Sequence, residues 1–313
     1  MVPRVGIEPT RLSSADFESA ASANSATRAK RVNRMPREVG RQVISGRLPR
    51  PLTYPDPAIS TLAMPDFRVH VLPAVSDPAE ITLSPEESHH LVAVNRALAG
   101  ATVVAFDGKG NEWICELRDA DKRAALLKVR FAQKAKPIPW RITLGQALPL
   151  GGAMDSIVRK ATEIGVSVIV PLESERTQVH LDADRSDRKI GKWQTAALEA
   201  AKQCGNPWLP EIAPVTSAAA FMESAKGYDL KLIASLQPGA KALKAVLAQY
   251  RASHGRAPHN VLWLIGPEGD FTPAEMSLSR TSGFEPITLG PLVLRCETAA
   301  VYALSVLSYE LSG

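Results

Sequence analysis

Cysteine is scarce in this 313-residue chain. Cys115, Cys204 and Cys296 lie far apart and form no CxxC pair. That argues against a zinc site and a disulfide framework, and suits a reducing compartment. Long apolar runs are missing as well. No stretch approaches the roughly 20 residues a membrane helix needs, so no membrane partner is expected. The first residues carry Arg4, Glu8 and Arg11 where a secretion signal would be apolar, and a cytoplasmic location is expected. No GxGxxG follows a predicted strand and no GxxxxGK[ST] occurs, which disfavours a Rossmann dinucleotide site and a P-loop. HExxH and GxSxG are absent, so zinc-protease and α/β-hydrolase chemistry has no support, and no metal is expected.

What is present suffices for two domains with sizeable cores: 45% of the residues are hydrophobic. The net charge of +5 is unevenly placed. Residues 1–63 carry all of it, and the remainder is balanced. Nucleic-acid binding by the folded part would therefore need a local basic patch rather than a global field.

Residues 1–63 are rich in Ser, Ala, Arg and Pro without a sustained period, and are expected to be disordered. Three readings stand open: a basic arm that touches RNA phosphates, a tail without a role, or a non-native extension ahead of Met64. Residues 64–135 read as a small β-rich domain. FRVHVL, ATVVAFDG, EWICELRD and AALLKVRFA are predicted strands, and Ser84-Pro85-Glu86-Glu87 starts a helix that runs toward Leu98. KAKPIPW is a linker. Over 140–313, strands and helices alternate, which predicts an α/β domain with a mainly parallel sheet. Helices are predicted in MDSIVRKATEIG, RSDRKIGKWQTAALEAAKQCG and AKALKAVLAQY, after a capping box at Thr272–Glu275, and from Cys296 to Leu311. Trp193 is expected in the core or a dimer contact. His89 and His90 fit either RNA contact or structural support, with structure favoured.

Two strand-end loops carry candidate chemistry: Leu264-Ile265-Gly266-Pro267-Glu268-Gly269-Asp270, and the segment from Leu289 and Gly290 through Leu294, Arg295, Cys296 and Glu297 to Thr298 and Ala299. Glycines at strand ends let backbone approach a ligand closely, and open α/β sheets bind ligands there. Each loop alone is also explained as a tight turn, with Glu297 complementing the helix dipole. Arg176, in LESERT after a predicted strand, fits either a site role or a solvated ion pair.

Together these segments resemble a family. HHLVAVNRALAG, LGQALPLGGAMDSIVRKATEIGVSVIVPLESERT, KWQTAALEAAKQCGNPWLPEI, LIGPEGDFTPAE and LGPLVLRCETA are similar, in order and spacing, to the 16S ribosomal RNA (uracil-N3) methyltransferases of the SPOUT class. The resemblance implies a knotted (trefoil) parallel-sheet domain preceded by a PUA-like RNA-binding β-barrel, and a homodimer acting on ribosomal RNA or the small ribosomal subunit. It implies S-adenosylmethionine as methyl donor, held by Leu236, Leu264, Gly266, Pro267, Glu268, Gly269, Leu289, Gly290, Leu294, Thr298 and Ala299. It also implies Arg295 and Glu297 as catalytic residues, and Arg68, Arg96 and Arg176 as RNA contacts. The chain departs from the family at several places. Basic residues are expected near Leu150 and Ala153, an apolar residue at Asn95, Glu and Arg in place of Lys202 and Asn206, and Arg at Leu292; each departure alters an expected RNA contact. Two other functions remain in play: a non-catalytic RNA-binding protein, and a ribose 2′-O-methyltransferase.

Overall fold

The computed structural model describes residues 67–72, 78–179 and 181–312. The segment 1–63 discussed above lies outside them. Two sheets with separate cores organise the described chain.

The first sheet contains β1 (Phe67–His70), β2 (Glu80–Thr82), β3 (Thr102–Phe106), β4 (Asn111–Asp119) and β5 (Leu126–Lys134), in the order β1-β3-β4-β5-β2. β1 joins β3 in parallel and the other pairs are antiparallel. Alternation puts Val103, Ala105, Trp113, Cys115 and Leu117 in one core. β2 has no sequence signal, because three residues are too few to show a period. The helix after Ser84 begins as its cap predicts: Ser84 Oγ accepts from the Glu87 N–H at 3.2 Å, with Pro85 in the first turn. It does not run as an α-helix to Leu98. After α1 (Pro85–Ser88) the chain makes a π-helical turn over His89–Val94 and then breaks at Arg96, which has φ 59°. The break lets Leu91 and Ala97 both reach the core, while Leu98 stays exposed.

The second sheet is parallel throughout. Its strands are β6 (Arg141–Ala147), β7 (Val168–Glu173), β8 (Glu211–Ile212), β9 (Thr216–Ser217), β10 (Leu230–Ala234), β11 (Asn260–Ile265) and β12 (Glu285–Ile287). The order is β12-β10-β11-β6-β7-β8, with β9 also on β7. Helices α2 (Ala153–Ile164), α3 (Ala183–Cys204), α5 (Leu243–His254) and α7 (Cys296–Ser312) pack on one face. Helices α4 (Ala218–Ser224) and α6 (Pro273–Thr281) cover the other. β11 explains its own unbroken apolar sequence: Val261, Trp263 and Ile265 enter the first core, Leu262 and Leu264 the second. The predicted helix ends hold, with Gly165 (φ 88°) closing α2 and Gly205 (φ 77°) closing α3. The capping box at Thr272 is also formed. Trp193 is core: it is buried, and its Nε1 donates to Asp155 Oδ1 at 3.1 Å. No helix among the described residues is long and apolar enough to cross a membrane.

At the entry edge of the parallel sheet, Asp229 accepts from both Arg256 Nη atoms (3.0 and 3.1 Å) and from the backbone N–H groups of His259 and Asn260. These donors, Arg256 foremost, hold its carboxyl far below the usual 3.8. A depressed carboxylate contributes stability above its unfolded value and loses it as pH falls toward its folded value. Asp229→Asn is expected to lower stability at pH 7 by about 1–2 kcal/mol. The gap from wild type should narrow as pH drops below 3.8. Urea titrations at pH 7 and pH 3 check this, and an equal gap at both would refute it.

The two sheets meet through α3, which packs against β1. There Lys202 Nζ, almost buried, pairs with Glu87 Oε1 at 2.6 Å and with Glu199 Oε1 at 3.1 Å. Asn206 Nδ2 donates to the Thr162 carbonyl, and its Oδ1 accepts from the Trp208 N–H. Both residues, expected from the resemblance to bear on RNA contacts, thus join structural elements instead.

Candidate active site

Strand order brings the carboxyl ends of β12, β10, β11 and β6 side by side. The loops that leave them enclose a cavity of about 520 Å³. Leu150 and Ala153 come from the β6 end, Ala234, Ser235 and Leu236 from β10, and Ile265–Glu268 with Asp270 from β11. Leu289, Leu292–Glu297 and Ala299 follow β12.

Each loop has a local reason for its shape. The β11 loop closes when the Asp270 N–H donates to the Pro267 carbonyl at 2.9 Å. Asp270 takes φ 58°, a conformation Asp tolerates when its side chain bonds locally; here Oδ1 accepts from the Phe271 N–H. Glu268 Oε1 accepts from the Leu150 N–H at 2.8 Å and so ties the β6 loop to the β11 loop. In the β12 loop, Gly290 sits at φ 115°, which a side chain would resist. The Arg295 carbonyl then accepts from the Ala299 N–H at 2.8 Å to open α7. Glu297 occupies the first turn of α7, where the helix dipole favours a carboxylate. Among the described residues, Arg295 and Glu297 form no ion pair, with each other or with any partner. Both are therefore available to a ligand.

Cys296 lies in the cavity wall between them. Burial, helped by the charges of Glu268 and Glu297, pushes its thiol up to about 11. Cys204 is exposed. At pH 8, iodoacetamide is expected to modify Cys204 at least about 100-fold faster than Cys296, because only the thiolate reacts. Peptide mass spectrometry checks the order, and comparable rates would contradict it.

Residues 136–308 match a family described as an RNA methyltransferase domain, and residues 83–130 match an RNA methyltransferase PUA domain. The chain is 34% identical, over 76% of its own length and 76% of the relative's, to ribosomal RNA small subunit methyltransferase E of a Synechocystis strain. It belongs to that methyltransferase family. The enzyme of the same name from Bacillus subtilis is 28% identical over 75% of this chain and 92% of its own. Among solved structures, a candidate methyltransferase of Legionella pneumophila in complex with S-adenosylmethionine superposes with a TM-score of 0.71 and 31% identity. It is matched over 78% of this chain and 97% of that one. The Neisseria gonorrhoeae family member bound to S-adenosylmethionine gives a TM-score of 0.69 at 26% identity, over 78% and 97% of the two chains. The parallel α/β sheet with a PUA-like domain before it is thus the family's fold.

Seven of the eleven residues expected to hold the methyl donor line the cavity: Leu236, Gly266, Pro267, Glu268, Leu289, Leu294 and Ala299. Leu264, Gly269, Gly290 and Thr298 do not. Leu264 points into the core beneath Gly145, Gly269 lies under the Arg176 side chain, Gly290 shapes its loop, and Thr298 is exposed on α7. Ser235, Ile265, Asp270 and Cys296 line the cavity without having been singled out. Of these, Ile265, Asp270 and Cys296 already stood within the two candidate loops, but Ser235 carried no signal.

The three arginines expected to contact RNA differ. Arg68 turns inward: its side chain is 14% exposed, Nη2 donates to Glu112 Oε1 at 2.9 Å, and the guanidinium lies 5.0 Å over the Phe106 ring. That leaves little of it for a phosphate, a departure from the expectation that follows from Glu112 facing it across the sheet. Arg96 is exposed on its left-handed turn. Arg176 is exposed beside the β11 loop, with Nη1 donating to the Gly269 carbonyl at 2.6 Å. His89 is exposed and His90 half-buried.

Proposed function

We propose that this protein transfers a methyl group from S-adenosylmethionine to N3 of a uridine in 16S ribosomal RNA. The observation that carries the reading is the cavity at the strand ends, with Arg295 and Glu297 in its wall. The family's solved structures with bound S-adenosylmethionine support it.

The cavity fits that donor. Its volume lies within the usual range for small-molecule sites, about 300–1,000 Å³. Leu236, Ile265, Leu289 and Leu294 offer apolar wall to the adenosine. Glu268 and Glu297, both in the cavity wall, would offer negative charge to the sulfonium of a bound donor. The bound donor supplies an already activated methyl group, so no metal is called for. Among the described residues no cluster suited to holding one occurs.

The protein's own work is positioning and charge stabilisation. N3 must lose its proton before it can accept a methyl group, and it lies on the pairing edge, so the base must be unstacked. Arg295 presents several donors to O2 or O4 and stabilises the anion. Arg96 and Arg176 supply exposed cations for the RNA backbone. Water is the proposed acceptor of the N3 proton.

The same reading includes a homodimer and a trefoil knot in the segment leading into α7. Leu292 (72% exposed) and Val293 (79%) before α7, and Tyr309 (78%) near its end, are exposed large hydrophobic residues that a second copy could cover. It also places the protein in the cytoplasm, where its RNA is.

Nucleoside mass spectrometry of 16S RNA from a gene-deleted strain tests the proposal. Loss of 3-methyluridine, restored by the wild-type gene and not by Arg295→Ala, is expected. Loss of a ribose-methylated nucleoside instead, or no change, would overturn it in favour of a 2′-O-methyltransferase or a non-catalytic RNA binder.

A further inference from the structure

Glu275 is the most deeply buried carboxylate beside the site, at 3% exposure. Its two oxygens have different duties. Oε2 accepts from the Thr272 N–H at 2.8 Å, which completes the capping box of α6. Oε1 accepts from the Glu175 N–H at 3.0 Å, one hundred positions away in sequence. A capping box needs only the first of these bonds. The second fastens the loop after β7 to the helix that follows the β11 loop.

The fastened loop is itself a tight turn. The Thr177 N–H donates to the Ser174 carbonyl, and Thr177 Oγ1 accepts from the Ser174 N–H. Ser174 and Thr177 are buried, while Glu175 and Arg176 at the tip are exposed. Arg176 is the residue next to the clamped N–H. Its stem lies over Gly269, with Cδ at 3.4 Å from where a Cβ would stand, and its Nη1 reaches the Gly269 carbonyl. Gly269 adjoins Glu268, which lines the cavity.

We infer that Glu275 is a positioning residue, whose carboxylate bridges the β7 and α6 ends so that the Arg176 guanidinium is presented at the cavity rim to the RNA substrate. This rests on the methyltransferase reading above and on Arg176 touching RNA. A carboxylate suits the task because it offers acceptors to two N–H groups at once. A carboxamide can serve only one of them and turns its NH₂ toward the other.

The test is a double-mutant cycle on the full-length protein with 16S RNA. Glu275→Gln is expected to raise the KM for RNA about tenfold, the scale of one lost charge-assisted contact. The kcat and the affinity for S-adenosylmethionine should change less than about twofold, and in an Arg176→Ala background Glu275→Gln should have no further effect on KM. Glu275→Asp serves as the second variant: it keeps the charge at the helix start but is too short to span both N–H groups, and should behave alike. Thermal midpoints confirm that each variant is folded. Equal KM effects of Glu275→Gln in both backgrounds would overturn the inference, as would a change confined to stability or to methyl-donor affinity. If Arg176→Ala alone leaves the KM for RNA unchanged, the RNA role of Arg176 fails, and the inference fails with it at an identifiable step. If the wild-type protein does not methylate RNA, the broader reading fails instead.

Discussion

Arg295→Lys is expected to lower turnover on the order of 100-fold, the scale seen when one preorganised donor is removed from an anion-stabilising site. The substitution keeps the charge and removes the planar fork of donors. Arg295 is exposed in the cavity wall and, among the described residues, forms no ion pair. Its backbone carbonyl, not its side chain, opens α7 by accepting from the Ala299 N–H. The lysine variant should therefore fold as wild type does. Single-turnover methylation of 16S RNA measures the chemical step, and calorimetry with S-adenosylmethionine should show an affinity within about threefold of wild type. A turnover near the wild-type rate in a normally folded variant would make Arg295 structural. Glu297 makes no bond to Arg295, so it does not act by holding that side chain. It stands in the first turn of α7, where the helix dipole favours a carboxylate, and in the cavity wall.

Gly145→Val is expected to destabilise the parallel sheet by about 2–4 kcal/mol, through overpacking at a strand that cannot move aside. Gly145 sits within β6, between β11 and β7. A Cβ there would collide with the Leu264 side chain and press on Leu172 Cδ1 at 3.2 Å and Phe221 Cε1 at 3.3 Å. All three belong to or pack against the core under α4 and α6. The missing side chain thus makes room for Leu264, two residues before Gly266 at the cavity. Displacing Leu264 should shift the start of that loop, so methyl-donor affinity should also fall, by about tenfold. In urea titrations the midpoint should drop with the slope unchanged, because the same surface is exposed on unfolding. A loss under about 0.5 kcal/mol would mean the core accommodates the extra methyl groups. Leu264 packs beneath Gly145 and does not line the cavity wall.

The amino-acid sequence by itself determined the local elements and where they stop. Predicted strands marked the β-rich region and the alternation of strands with helices marked the α/β region, the Ser84 and Thr272 caps marked helix starts, and Gly165 and Gly205 marked helix ends. Such signals act within a few residues of backbone, so they survive without tertiary context. The two site loops were legible for the same reason, since their glycines and prolines stand at strand ends. The tertiary structure alone decided which loop residues face the cavity. The strand order β12-β10-β11-β6 sets Ser235 and Leu150 beside loops distant in sequence, and no local period encodes that neighbourhood. It also decided the fate of the charged residues. Arg68 meets Glu112, forty-four positions away, and Lys202 meets Glu87, one hundred and fifteen positions away. A basic residue reads the same in sequence whether it faces solvent or an acidic partner. Desolvation and pairing across the fold choose between the two, and here they leave Arg96, Arg176 and Arg295 exposed while drawing Arg68 and Lys202 into the structure.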